Sequence, residues 1–359
     1  MLVAALALAW SAAGCGGDGT TEAGPPRTAT TATVASPASS TALAAPAGTA
    51  WGIAGVTPRA FPRPSADDWR SYYGSIEGLG GWQGAFGAWT KEEGIPAVVR
   101  SMASTGAQYR FRAIPLVGFH RDAGPGRVAL TVDFRDEAQA AAYTQAVAAL
   151  AREQRPAFLG VGNEVNRIAE QDPAAYEAWV KRLPAIVDAA HAASPGTRVF
   201  ATYQLEMLLG RASLTGRPAG PARWALLDGV AGTLDAVAFT TYPYFDYATP
   251  EAVPASYYRD AAAEAARRGA KAVAFSEVGW PGAATPALRG DPRDGSAEEQ
   301  AAFIRRLPAL LDGVRPAFVL WAFDHDPGLN GTVFDTAGLR ANGGEARPGL
   351  AAWREVISK

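Results

Sequence analysis

Beyond Trp51 the chain alternates short apolar runs with longer amphipathic segments. Apolar runs of about four to eight residues are typical of strands buried on both faces, and amphipathic segments are typical of helices that cover a sheet. Eight runs fit a strand, at residues 51–56, 81–86, 111–119, 157–161, 198–203, 236–242, 270–276 and 317–323. The second run is the weakest because it is rich in glycine, a poor strand former.

The segments between the runs begin with recognisable helix caps. Residues 65–68 (SADD) and 296–299 (SAEE) are capping-box patterns, and Asp172-Pro173 offers a cap followed by proline at the first helical position. Eight strands, each followed by a helix, predict a single closed (β/α)8 barrel, a TIM barrel, over residues 51–359. The alternative is an open doubly wound sheet. It needs a glycine-rich phosphate-binding turn after the first strand, which residues 55–58 (GVTP) do not supply.

The residues before the barrel have a different composition. Residues 1–15 combine a short apolar run with the small-residue stretch SAAGC, which resembles a lipoprotein signal peptide with Cys15 as the acylated residue. No Lys or Arg follows Met1, and Ala12 stands where a leucine is usual, so a plain secretory signal stays open. Residues 16–50 are rich in Thr, Ala, Pro and Ser and predict a disordered linker. We therefore expect a protein anchored to the outer face of the cell membrane, or periplasmic or extracellular if Cys15 is not acylated.

Composition narrows the choice of partner. The formal net charge of −2 gives no basic surface for nucleic acid, and 10 Trp and 11 Tyr offer flat faces on which sugar rings can stack. Cys15 is the only cysteine and there are 3 histidines, so a thiolate metal site or a His-based triad has little support. We expect a monomer without a metal or cofactor, attached to a membrane only through the lipid. Residues 324–326 (DHD) fit a solvated loop better than a cation site.

Two glutamates occupy the positions where a barrel carries its chemistry. Residues 158–166 (FLGVGNEVN) place Glu164 directly after the fourth strand, and residues 272–281 (AVAFSEVGWP) place Glu277 directly after the seventh. In these barrels the active site lies at the carboxyl ends of the strands. Breaking a glycosidic bond needs a proton for the leaving oxygen and negative charge beside an oxocarbenium-like centre, which two carboxyl groups supply. A separation of about 5 to 5.5 Å would make the reaction retaining.

The sequence resembles the clan A glycoside hydrolases, most closely the family 17 β-1,3-glucanases and their bacterial relatives. Residues 161–165 (VGNEV), 241–245 (TYPYF) and 276–281 (SEVGWP) carry the resemblance. It implies that Glu164 is the acid/base and Glu277 the nucleophile. It also implies that Asn163 holds the sugar 2-hydroxyl, Tyr242 hydrogen-bonds the nucleophile and Trp321 forms a floor under the reactive sugar.

Further aromatic and polar residues near strand ends are candidates for substrate binding. These are Trp280, His120, Trp89, Gln83 and Tyr203. No Arg ends the second strand, where many clan members have one, so the site around Gln83 and Trp89 is expected to be built differently.

The predicted activity is retaining hydrolysis of a β-linked polysaccharide or oligosaccharide. The linkage stays open, because arabinogalactan-degrading relatives share a similar arrangement of motifs. Two alternatives also stay open: a glucan transglycosylase that uses the same site, and a carbohydrate-binding lipoprotein without turnover.

Overall fold

The computed structural model describes residues 48–123, 127–211, 219–285, 291, 293–328 and 332–359. The predicted signal peptide, Cys15 and nearly all of the predicted linker lie outside the described residues. Within the described ranges, no helix is both long and apolar enough to cross a membrane.

Eight parallel strands close into a barrel in sequence order, with β8 beside β1, which confirms the predicted (β/α)8 fold. The strands are β1 Ala50–Ile53, β2 Gly81–Ala88, β3 Arg112–Gly118, β4 Phe158–Gly160, β5 Arg198–Gln204, β6 Ala236–Thr241, β7 Val273–Val278 and β8 Phe318–Trp321. The predicted runs agree with these strands, except that β7 begins and ends later than residues 270–276. Glu277 therefore lies inside β7 rather than after it.

The α-helices formed by the described residues cover the outside of the barrel. They are α1 Ala66–Ser75, α2 Ala97–Tyr109, α3 Glu137–Gln154, α4 Val165–Gln171, α5 Pro173–Ala193, α6 Leu205–Leu208, α7 Tyr257–Arg267, α8 Ala297–Leu310 and α9 Pro348–Ile357. The predicted caps are confirmed: Ser65 forms the complete capping box with Asp68, and the side chains of Asp172 and Ser296 accept backbone N–H groups of their helices. Each such cap contributes about 1 kcal/mol.

The core has two layers, one inside the barrel and one between the barrel wall and the helices. Inside, large rings such as Trp82, Phe158 and Phe318 fill the space. Glycine makes room where strands approach: a Cβ on Gly84 would lie 2.6 Å from the carbonyl oxygen of Ala54. Gly84 of β2 therefore lies where the backbone after β1 leaves no space for a side chain.

Two short ribbons extend the barrel beyond its strands. Residues His120–Asp122 pair antiparallel with Val128–Leu130 after β3, and Phe323–His325 pair parallel with Gly338–Arg340 after β8. The prediction of a solvated loop at residues 324–326 is wrong. Asp324 is fully buried and bonds Arg340 (3.0 Å), and Asp326 forms a buried ion pair with Arg347.

Candidate active site

Glu164 occupies a strained backbone position at the junction of β4 and α4. Its φ of 40° and ψ of 47° lie in the left-handed region, which costs a non-glycine residue on the order of 1 kcal/mol. The backbone N–H of Glu164 donates to the hydroxyl of Thr202 on β5 (2.6 Å), and that hydroxyl donates to Oδ1 of Asn163 (2.9 Å). These bonds hold the turn and orient both side chains that follow β4.

The carboxyl group of Glu164 is held at both oxygens. Oε1 accepts from the hydroxyl of Thr240 on β6 (2.7 Å), and Oε2 accepts from Nη1 of Arg167 on α4 (3.1 Å). Only 14% of the Glu164 side chain is exposed. The carboxyl group therefore has a defined position in a site with limited access to solvent.

An irregularity in the pairing of β6 with β7 sets the position of Glu277. The ladder between β6 and β7 shifts register between Phe239 and Thr240, as a β-bulge does, and Glu277 then pairs with Thr240. Oε2 of Glu277 accepts a hydrogen bond from the hydroxyl of Tyr242. Burial, followed by the charge of Glu164, raises the pKa of Glu277 from 4.5 to about 8, against the opposing effect of the Tyr242 hydrogen bond.

One residue joins the two glutamates. Thr240 is the neighbour of Glu277 across the sheet ladder, and its hydroxyl lies 2.7 Å from Oε1 of Glu164. Adjacent strands in a sheet lie about 4.8 Å apart. The two carboxyl groups therefore flank one threonine at the mouth of the barrel. Their charges interact, since Glu164 contributes to the raised pKa of Glu277.

Two other predicted site residues lie beside this pair. Nε2 of His120 lies 2.6 Å from the backbone oxygen of Asn163, and His120 is 2% exposed. Burial, followed by the charge of Arg167, lowers the pKa of His120 to about 3, so the ring is neutral at neutral pH. The structure thus brings His120, Asn163 and Tyr242 together with Glu164 and Glu277.

The remaining predicted binding residues lie on the opposite side of the barrel wall, where they contact helices. Each is buried, with these neighbours: Trp321 packs on Trp353 and Phe303, Trp280 on Phe303, Trp89 on Tyr143, Tyr203 bonds Tyr176, and Gln83 accepts from Tyr72. The structure does not bring these five side chains to the glutamates. Alternate residues of a strand point to opposite faces, and Gln83, Tyr203 and Trp321 fall on the helix-facing register. Trp89 and Trp280 follow β2 and β7 and contact α3 and α8.

The site also contains residues that sequence reasoning missed. Arg167 bridges Glu164 and Asp122, a residue of the ribbon after β3. The side chains of Arg167 and Asp122 are 8% and 9% exposed. Thr240 could have been found, because it lies in the run 236–242 two residues before Tyr242, and alternate residues of an extended run share a face. Arg167 is three residues after Glu164, a helical neighbour. Asp122 carried no comparable signal because its partner is distant in sequence.

A buried carboxyl group supports Tyr242 from below. Glu206 of α6 accepts from the Thr241 hydroxyl (2.8 Å), the Tyr242 backbone N–H (3.0 Å) and the Tyr257 hydroxyl (2.8 Å), and also from the side-chain amide of Gln204. Burial raises the pKa of Glu206 to about 7. These bonds fix the backbone from which Tyr242 reaches Glu277.

No protein-family profile and no curated protein matches the chain. Solved structures do match. A family 39 glycoside hydrolase from Bacteroides cellulosilyticus WH2 superimposes with a TM-score of 0.57 at 18% identity, over 82% of this chain and 62% of that one. GH5_18 from Bifidobacterium longum subsp. longum gives 0.63 at 16% identity, over 87% and 79%.

A third match is a glycoside hydrolase family 17 β-1,3-glucanosyltransferase from Rhizomucor miehei. It superimposes with a TM-score of 0.54 at 12% identity, over 83% of this chain and 95% of that one. The chain spans less than two thirds of the length of the Bacteroides protein. At identities this low, the three likenesses establish a shared barrel fold.

Proposed function

We propose that the protein is a retaining glycoside hydrolase that acts on β-linked glycans. One observation carries the proposal: Glu164 and Glu277 flank Thr240 at the carboxyl ends of the strands, with their charges coupled. A like-charged pair in a partly desolvated site is costly to maintain without a use. The fold is also shared with the family 39 hydrolase and the family 17 glucanosyltransferase.

In the first step Glu164 donates a proton to the glycosidic oxygen while Glu277 attacks the anomeric carbon. The C–O bond to the leaving group breaks, a C–O bond to Glu277 forms, and the leaving group departs as an alcohol. Because Glu277 has a pKa near 8, the empty site carries one proton on the pair at neutral pH. The hydrogen bond from Tyr242 stabilises ionised Glu277, the form that attacks the anomeric carbon, and opposes the effect of burial on its pKa.

In the second step Glu164, now ionised, takes a proton from water. The resulting hydroxide attacks the anomeric carbon, breaks the ester to Glu277 and restores both carboxyl groups. Two inversions give net retention. The side-chain amide of Asn163 is suited to bind a sugar hydroxyl group, and buried, neutral His120 supports the Asn163 backbone behind it. On this mechanism kcat/KM falls above about pH 8, where the pair loses its shared proton.

We further propose that Cys15 is acylated and that residues 16–50 tether the barrel to the outer face of the membrane. A linker of about 35 residues would let the barrel reach glycans around the cell. Growth with radiolabelled palmitate tests this, since a Cys15→Ser variant should remain unlabelled. Equal labelling of both proteins would remove the anchor from the proposal.

Digestion of a glycan panel by the fragment 48–359, which keeps all of β1, tests the activity. Laminarin, β-1,4-galactan, mixed-linkage glucan and mannan cover the linkages left open. Glu277→Ala should abolish turnover. Glu164→Ala should lose less activity on substrates with activated leaving groups, which need no acid. Equal loss by Glu164→Ala on good and poor leaving groups would reject the acid/base assignment.

The same digests separate the alternatives. Products longer than the substrate at high glycan concentration would indicate transglycosylation, an activity carried by the matched Rhizomucor protein. Tight glycan binding without products would indicate a binding lipoprotein, and would remove turnover from the proposal.

A further inference from the structure

Arg167 poses a problem for the acid/base role of Glu164. Its guanidinium group donates to Oε2 of Glu164 at 3.1 Å, and both side chains are largely buried. A cation at this distance favours the ionised carboxylate, whereas the first step requires Glu164 to carry a proton. Some other group must offset the charge of Arg167.

Asp122 is placed to do this. It accepts a hydrogen bond from Nη2 of Arg167, the second terminal nitrogen of the same guanidinium group. The Asp122 side chain is 9% exposed and that of Arg167 is 8% exposed, so water screens this pair poorly. Asp122 and Arg167 together are formally neutral, so Glu164 faces a dipole rather than a full positive charge.

Other charged or titratable groups also surround Glu164. Glu277 on β7 contributes a like charge, Tyr242 directly after β6 contacts Glu277, and neutral His120 lies in the ribbon after β3. Among the described residues that bond to Glu164, Arg167 is the cation. Its compensation by Asp122 therefore has a large influence on where the shared proton resides.

We propose that Asp122 and Arg167 form a positioning pair for the acid/base: Arg167 fixes the orientation of Glu164, and Asp122 neutralises Arg167 so that Glu164 can hold the proton. The pair does not touch the reacting atoms. As the proton leaves Glu164 for the glycosidic oxygen, Nη1 of Arg167 is already in place to stabilise the carboxylate that forms. This inference rests on the proposed glycosidase mechanism.

The position of the pair explains how the sequence builds it. Arg167 lies one helical turn after Glu164 on α4, so α4 sets their relative positions. Asp122 comes from the ribbon formed by His120–Asp122 and Val128–Leu130. The ribbon therefore places the Asp122 carboxylate against Arg167, on the side of the guanidinium group away from Glu164.

The pH dependence of kcat/KM tests the proton-holding part. In Asp122→Asn, Arg167 keeps an acceptor but loses its counter-charge, so the basic limb should move down by about one pH unit. A charge about 6 Å away in a medium of dielectric constant about 20 shifts a pKa by about two units. The partial exposure of Glu164 to solvent reduces this to about one unit. The loss at high pH should be larger for poor leaving groups than for activated aryl glycosides.

The matched control is Glu93→Gln. Glu93 pairs with Arg121 of the same ribbon at 3.8 Å, but this pair is exposed to solvent. Its removal should leave both limbs in place. If the profile of Asp122→Asn superimposes on those of wild type and Glu93→Gln, the pair has no role in proton placement, although the proposed hydrolysis stands.

Crystal structures of Arg167→Met and Arg167→Lys test the positioning part without relying on activity. In Arg167→Met the Glu164 carboxyl group should leave Thr240 and adopt more than one orientation, and the lysine should restore one orientation. An unchanged Glu164 in Arg167→Met would overturn the positioning role. A wild type inactive on every glycan would refute the proposed function instead, and these structures would still decide whether Arg167 orients Glu164.

Discussion

Replacement of Glu277 by glutamine should stabilise the fold while it abolishes turnover. The ordinary glutamate pKa of 4.5 is raised in the folded protein to about 8. At pH 7 the unfolded chain has lost the proton that the folded pair retains, so folding must take up a proton. The cost is about 1.4 kcal/mol per pH unit, or about 3 kcal/mol across the roughly 2.5 units between pH 4.5 and pH 7.

The sign of the pH dependence follows from the raised value. Below pH 4.5 the folded and the unfolded protein both hold the proton, so the raised pKa does not lower the free energy of unfolding. As the pH rises from 4.5 to about 8 the wild type loses stability relative to Glu277→Gln, and above pH 8 the difference is constant. For a barrel of about 300 residues, 3 kcal/mol corresponds to about 5 °C in Tm.

Thermal unfolding of both proteins at pH 4.5, 6, 7 and 8.5 measures this difference. Glu206 also has a raised pKa, but it is present in both proteins and cancels in the comparison. Glu177→Gln, on an exposed position of α5, is the control and should show a small difference that does not vary with pH. If Glu277→Gln gains no more stability over wild type at pH 7 than at pH 4.5, the claim that burial and the charge of Glu164 raise the pKa of Glu277 is refuted.

Three further substitutions test individual contacts. Tyr242→Phe removes the hydrogen bond to Glu277 and should lower kcat/KM by about 10- to 100-fold, as expected for a bond to a charged group; an unchanged rate would exclude this contact from catalysis. Trp321→Phe should lower the free energy of unfolding by about 1 to 3 kcal/mol and leave KM unchanged, because its ring packs on helices; a large rise in KM would place it in the sugar site. His120→Gln should change the rate without moving either pH limb between pH 5 and 9, since the pKa near 3 keeps the ring neutral there; a moved limb would show that His120 titrates.

The barrel and the two glutamates could be predicted because their signals are local. Apolar runs of strand length predict parallel strands, and a carboxylate at the end of such a run has few structural uses. Even so, the predicted end of β7 at residue 276 was too early. The β-bulge leaves Glu277 within the strand, and no local sequence pattern predicts a bulge. Tyr242 was found from a motif, and the structure places its hydroxyl on Glu277.

The face of each aromatic residue was harder to predict. Trp321 and Tyr203 lie in or at the end of strands whose residues are buried on both faces, so hydrophobicity cannot distinguish the barrel interior from the helix layer. The contribution of Asp122 was not predictable at all, because its carboxylate reaches Arg167 across 45 positions of sequence. Contacts of this kind are decided by where the ribbon after β3 lies relative to α4.

Trapping of the glycosyl intermediate is the most direct test of the account. Incubation with 2-deoxy-2-fluoro-β-glycosyl fluorides of glucose, galactose and mannose, followed by intact mass spectrometry and peptide mapping, reports which side chain forms the ester. The mechanism predicts the mass increase of one fluorosugar, located on Glu277 and lost in Glu277→Gln. A label on another residue, or an enzyme that turns over glycans with inversion and without any label, would contradict it.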